Sequence, residues 1–321
     1  MHNKIKIGIT IGDPAGVGPA IIAKAIPQLR GLADFVIIGD RWVFNQVSGA
    51  RCQVSDIKFI DLNNVARKNF RFGEMRAEYG KASIEYLDKA MDLINHNKID
   101  SLVTCPISKE AVSLAGFKNF SGHTEYLASV TNTKNFAMML LNKKLKITLV
   151  TRHIALKDVP LCLSKKAIFQ TVILTYESLK KLFRTRNPRI VLCGLNPHAS
   201  DNGLIGKEEN RVIKPVLSLL RKKIKGISIA GPQGADIAAL KTLQKQYDCM
   251  IAMYHDQALI PLKVSAGFSG VNLTLGIPFI RTSPLHGTAF DIAKNYRLAN
   301  PASLIEATML AYRCTLNQKK D

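Results

Sequence analysis

Cysteine is too scattered to organise this chain: the six residues, at 52, 105, 162, 193, 249 and 314, include no CxxC pair. That spacing argues against a disulfide framework or a thiolate zinc cluster, and the apolar runs around most of them suit reduced, buried thiols. No run approaches the ~18 uninterrupted apolar residues of a membrane span. The opening MetHisAsnLysIleLysIleGlyIle passes into a strand-like pattern without a cleavage site, so a cytoplasmic protein with no membrane partner is expected. Acidic residues are few, 24 against 45 Lys and Arg, which leaves a net charge of +21. Such a balance raises the question of a nucleic-acid partner. The cations, however, are dispersed over helix-like segments such as 143–146 and 221–225, without interleaved aromatics and without a finger, homeodomain or RNP pattern. A Lys-rich solvated surface and no specific nucleic-acid binding are therefore expected. Linkers, internal repeats, GxGxxG and HExxH are also missing.

What is present is ample core. A length of 321 residues, 47% of them hydrophobic, suits about two domains of roughly 150 residues each. Residues 4–11 alternate like a strand and run through Gly12, Gly16 and Gly18 into a helical pattern, a turn able to present backbone amides to an anion. Strand-like runs at 35–40 and 100–106 enclose a helical stretch from about 80 to 95, and this alternation predicts an α/β fold with a parallel sheet.

The densest chemistry lies between Met253 and Asp291, where one apolar frame carries His255, Asp256, Lys263, Asn272, Arg281, His286 and Asp291. Lys263, Asn272 and Arg281 are donors suited to a phosphate or carboxylate. The segment around His286, Gly287, Thr288 and Asp291 offers a ring for adenine and a carboxylate for ribose hydroxyls. Three strand-like runs, 147–153, 190–198 and 249–255, each end in a histidine, which would bring His153, His198 and His255 to one sheet edge. Three neutral imidazoles could hold a divalent metal with open positions, although any single histidine is more often a satisfied structural residue. Asp236 is either a turn residue or a carboxylate orienting an imidazole. Ser108 and Lys109 either contact a phosphate or cap and flank a helix, and in SerGlyHisThrGlu (121–125) Thr124 and Glu125 stand ready to cap the next helix.

The long motifs GlyIleThrIleGlyAspProAlaGlyValGlyPro, GlyHisThrGlu, GlyLeuAsnProHisAla, TyrHisAspGln and GlyValAsnLeuThrLeuGlyIleProPheIleArgThrSerPro occur in order along the chain. In them the sequence resembles the 4-hydroxythreonine-4-phosphate dehydrogenases of vitamin B6 biosynthesis. The resemblance implies two α/β domains of the isocitrate and isopropylmalate dehydrogenase type around a central cleft. A discontinuous domain, 1–125 with 266–321, would carry the nucleotide loop. The other, 126–265, would carry the metal histidines and the interface of a homodimer with a shared active site. His153, His198 and His255 would hold zinc, magnesium or cobalt, with contributions from both protomers. His123, Thr124, Lys263, Asn272 and Arg281 would bind the phosphorylated substrate; His286, Gly287, Thr288 and Asp291 would bind NAD or NADP; Asp236 and Asp256 would orient ligands or move protons. The implied reaction oxidises 4-phosphooxy-L-threonine to a β-keto acid that loses carbon dioxide. Departures from the family pattern fall at Leu285, at Lys294 to Tyr296 and at Ala20. They admit a relative acting on a threonate or erythronate 4-phosphate; a metal-dependent hydrolase is the rival reading.

Overall fold

The runs that read as strands are apolar on both faces, as strands covered by helices on either side must be. Ile7, Ile9, Ile37 and Leu102 are fully enclosed in one group, and Ile147, Val191 and Ile251 in another. Each such side chain contributes about 1.5–3 kcal/mol by leaving water. A computed structural model of the chain describes residues 4–49, 57–267 and 269–320. Cys52 lies outside the described residues; Cys105, Cys193, Cys249 and Cys314 are free and buried, and Cys162 is free and exposed. Among the described residues no helix is long and apolar enough to cross a membrane.

Two compact units divide the chain, 1–132 with 278–321, and 133–277. In the first, β1 (Lys6–Thr10), β2 (Asp34–Gly39), β3 (Ile57–Asp61), β4 (Ser101–Thr104) and β11 (Ile280–Pro284) lie in the order β3-β2-β1-β4-β11. All of these neighbours are parallel. The returning strand β11 therefore sets Arg281 opposite Leu102, in register with the end of β4. The helix Ala302–Gln318 covers β11, and Thr282 Oγ1 donates to its Ala307 carbonyl at 2.8 Å.

In the second unit the strands are β5 (Ala137–Leu141), β6 (Lys146–Leu149), β7 (Arg189–Cys193), β8 (Ser228–Gln233), β9 (Cys249–Ala252) and β10 (Val271–Leu275), in the order β10-β5-β6-β9-β7-β8. β10 and β6 run antiparallel to β5, while β6, β9, β7 and β8 are mutually parallel. Leu149 stands opposite Ala252, and Leu192 opposite Ile251. The carboxyl ends of β6, β9 and β7 thus lie side by side, which is where ligands collect in open α/β sheets.

Candidate active site

Arg281 is the largest fully buried side chain of the first unit. It hangs from β11 and reaches hydroxyls on two other elements. Its Nη2 and Nε donate to Thr104 Oγ1 at 2.6 and 3.2 Å, and its Nη1 donates to Thr124 Oγ1 at 3.3 Å. Burial lowers the guanidinium to about 9, partly opposed by the charge of Glu125, so it remains a cation at neutral pH. Thr124 lies in the first turn of the helix His123–Val130, whose start has no side-chain cap. The N-cap position is Gly122, and the Thr124 hydroxyl accepts from Arg281 rather than serving as a cap.

His123 opens that helix. Burial, then the charges of Arg281 and Lys109, push its imidazole well below its ordinary range, so it is neutral at physiological pH. Its Nε2 is enclosed without a hydrogen-bond partner. Ser108 caps the helix Lys109–Leu114 by accepting from Ala111 N at 3.1 Å, leaving Lys109 as the cation near His123. Arg281, Lys109, a neutral imidazole and two threonine hydroxyls make a site for a compact anion.

The same unit holds the glycine turn and the 286–291 loop in contact. Val17 N donates to Thr288 O at 2.8 Å. A Cβ on Gly16 would come within 3.2 Å of that carbonyl, a tight contact, and one on Gly18 within 1.9 Å of Ile11 O, so the close approach requires glycine at 18. His286 Nδ1 lies 3.0 Å from Gly287 O and therefore donates to it, leaving the enclosed, unpartnered Nε2 as an acceptor. Asp291 is exposed at the start of the short helix Phe290–Ala293. Beneath this loop Asp13 is completely buried. Its Oδ1 accepts from Ala15 N at 3.0 Å and its Oδ2 has no partner. Desolvation raises this carboxyl to about 7 against the lowering effect of the Ala15 and Ser108 amides.

In the second unit the rings of His153 and His255 lie 5.7 Å apart between centroids. His255 Nδ1 donates to Asp256 Oδ1 at 2.6 Å, which leaves Nε2 as its free donor atom. An imidazole oriented by a carboxylate in this way is the usual arrangement of a metal ligand. Two imidazoles at this separation can share one ion at about 2.0–2.1 Å from each nitrogen, so the pair fits a divalent metal. His198 follows β7 in a turn with left-handed backbone, and among the described residues no three His, Cys, Asp or Glu side chains of one chain gather as a ligand set. Asp236 lies in the first turn of the helix Ala235–Leu243, beside Gly234, which also meets the backbone of His198; the carboxylate on His255 is that of Asp256. Asn272, on β10, is buried with its Oδ1 unpartnered, and Lys263 is exposed on the helix His255–Ala266.

Thr104 was not singled out in the sequence, and Asp13 and Gln257 entered only within longer motifs. Thr104 offered no signal, since it stands 177 residues from Arg281. Asp13 offered one: an acidic residue inside a glycine turn that is otherwise apolar.

The sequence model of the family described as "Pyridoxal phosphate biosynthetic protein PdxA" matches residues 21–311. A 4-hydroxythreonine-4-phosphate dehydrogenase from a Sulfurihydrogenibium species is 43% identical over 320 residues, covering 96% of this chain and 97% of its own. The D-threonate 4-phosphate dehydrogenase of Salmonella typhimurium is 39% identical over 306 residues, 89% of this chain and 92% of its own. The crystal structure of the 4-hydroxythreonine-4-phosphate dehydrogenase from Klebsiella pneumoniae superposes with a TM-score of 0.84 at 34% identity, covering 97% of this chain and 99% of that one. A likeness to isocitrate dehydrogenase from Methylococcus capsulatus, TM-score 0.53 at 13% identity, shows the fold alone, and it is the fold type expected from the sequence. The chain is a dehydrogenase and belongs to the pyridoxal phosphate biosynthetic protein PdxA family.

Proposed function

We propose that the chain oxidises 4-phosphooxy-L-threonine with a nicotinamide cofactor to 2-amino-3-oxo-4-phosphooxybutanoate, which loses carbon dioxide to give 3-amino-2-oxopropyl phosphate. The observation that carries this reading is Arg281, a fully enclosed guanidinium held by two threonine hydroxyls beside a neutral histidine. A buried cation is expensive, and a bound phosphate offsets that cost. Arg281 and Thr124 hold the phosphate, and His123 contacts it without adding charge. By the family resemblance, Lys263 and Asn272 would also contact the phosphorylated substrate.

A divalent ion of the zinc, magnesium or cobalt type would supply Lewis-acid stabilisation of negative charge at the reacting oxygen, both in the oxidation and in the decarboxylation. His153, His198 and His255 would hold it, drawn from two protomers of a homodimer with a shared site. Asp256, bonded to His255 Nδ1, would fix the tautomer of that ring, and Asp236 would orient a ligand or move a proton. Ile260 and Val264, exposed one turn apart on the helix His255–Ala266, support an interface on the second unit. His286, Gly287, Thr288 and Asp291 receive the nucleotide; a carboxylate at Asp291 accepts ribose hydroxyls and repels the extra phosphate of NADP, so NAD is preferred. The reading is tested by absorbance at 340 nm: reduction of NAD that depends on 4-phosphooxy-L-threonine supports it, and no reduction with either cofactor contradicts it.

A second substrate, D-threonate 4-phosphate, is favoured by one observation, the 39% identity to the Salmonella enzyme of that name. The anion cluster reads the phosphate that both substrates share.

A further inference from the structure

We infer that Gln257 and Glu209 are positioning residues that together brace the turn carrying His198 against the helix start carrying His255. Gln257 stands two residues past His255 and uses both ends of its amide. Its Nε2 donates to Gly194 O at 2.9 Å, and its Oε1 accepts from Met253 N at 2.8 Å. One side chain thereby ties the end of β7 to the end of β9. Glu209 is completely enclosed. Its Oε1 accepts from Leu195 N and Asn196 N, each at 2.8 Å, and its Oε2 accepts from Asn196 Nδ2 at 2.9 Å. Glu208 takes the same Nδ2 at 2.8 Å, and that bond is the first cause holding its carboxyl below the ordinary range.

What these groups hold is Gly194, Leu195 and Asn196, the residues that lead directly into Pro197 and His198. Stability alone gives little reason for a buried carboxylate here, since well-packed apolar residues often serve as well. The turn they feed does need fixing. From His198 to Asn202 the backbone is left-handed, with φ between 42° and 71°. Non-glycine residues enter that region at a cost of roughly 1–2 kcal/mol each, and such a conformation persists only where its surroundings over-determine it. Glu209 supplies the flanking constraint on Leu195 and Asn196, and Gln257, by spanning from Gly194 to Met253, fixes the residues before the His198 turn relative to His255.

This inference rests on the proposed reading of His198 and His255 as groups of the reacting centre. The test uses full-length protein stripped of metal, comparing wild type with Gln257→Met, which keeps the side-chain volume but neither hydrogen bond, and with Glu209→Gln. Zinc affinity is measured by competition with a chromophoric chelator, and amide exchange is followed at Leu195 and Asn196. Each variant is expected to weaken zinc binding about 10–100-fold and to lower kcat while KM for the phosphorylated substrate stays within about twofold. The pair combined should be no worse than the more damaging single change, because both act on one brace. In Gln257→Met the Leu195 and Asn196 amides, whose own bonds to Glu209 remain, should exchange about tenfold faster. Wild-type zinc affinity and kcat in Gln257→Met would overturn the inference. Should wild type bind no zinc, the ligand reading of the histidines fails, and the brace is judged on exchange alone: acceleration upholds it and unchanged exchange overturns it. Should Glu209→Gln not fold, Gln257→Met decides by the same readings.

Discussion

Asp13 gives the protein a pH dependence that a single substitution can remove. Its carboxyl is raised from 3.8 to about 7 by burial, so between about pH 4 and 7 the native state holds a proton that the unfolded chain has released. Stability therefore falls as pH rises through that window and stays low above it. At roughly 1.36 kcal/mol per unit the loss has an upper bound on the order of 4 kcal/mol. Asp13→Asn, neutral at every pH, is expected to flatten this slope and to gain on wild type above pH 7, as read by denaturant unfolding across pH. A wild-type slope in the variant would contradict the assignment. At the anion cluster, Arg281→Lys keeps a charge but loses the fork that meets Thr104 and Thr124. It is expected to raise KM for the phosphorylated substrate by about 10- to 100-fold, the worth of a charge-assisted bond of ~1.5–3 kcal/mol. The KM for nucleotide should change by no more than about threefold, and equal losses in both would dissociate Arg281 from the phosphate.

Among the elements, the glycine turn is the one whose packing decides most. A methyl on Gly18 would sit 1.9 Å from Ile11 O, and one on Gly16 3.2 Å from Thr288 O. Gly18→Ala must displace backbone and is expected to cost on the order of 1–3 kcal/mol or more. Gly16→Ala should cost less but reach the 286–291 loop, so calorimetry should rank Gly18→Ala as the less stable and nucleotide titration should rank Gly16→Ala as no better than wild type. The strands themselves were legible because burial on both faces forces continuous apolar runs, and the three runs ending in histidine do end side by side on β6, β9 and β7. The helix start at His123 was read correctly in place but not in chemistry. A short sequence signal suggests a cap; only the arrival of β11 beside β4 shows that the Thr124 hydroxyl is taken by Arg281. Glu209 was illegible for the same reason. Nothing in a charged pair within a basic stretch reveals that one member is fully enclosed and holds the turn before His198.

At the scale of the whole molecule, composition predicts a well-supplied core and the structure has one, yet the net charge of +21 acquires no structural explanation beyond a dispersed basic surface. The chain order of motifs was enough to indicate the family, because each motif is long and together they run through both compact units. The choice between two phosphorylated acids was not legible, since on the proposed reading Arg281, His123 and Thr124 would address the group the substrates have in common. The central claim, a dehydrogenase reaction on a phosphorylated hydroxy amino acid, is therefore tested most directly by comparing kcat/KM for 4-phosphooxy-L-threonine and D-threonate 4-phosphate with NAD, followed at 340 nm with 3-amino-2-oxopropyl phosphate captured as product. The account predicts turnover of 4-phosphooxy-L-threonine with the higher kcat/KM and formation of that product; turnover of D-threonate 4-phosphate alone, or of neither, would contradict it.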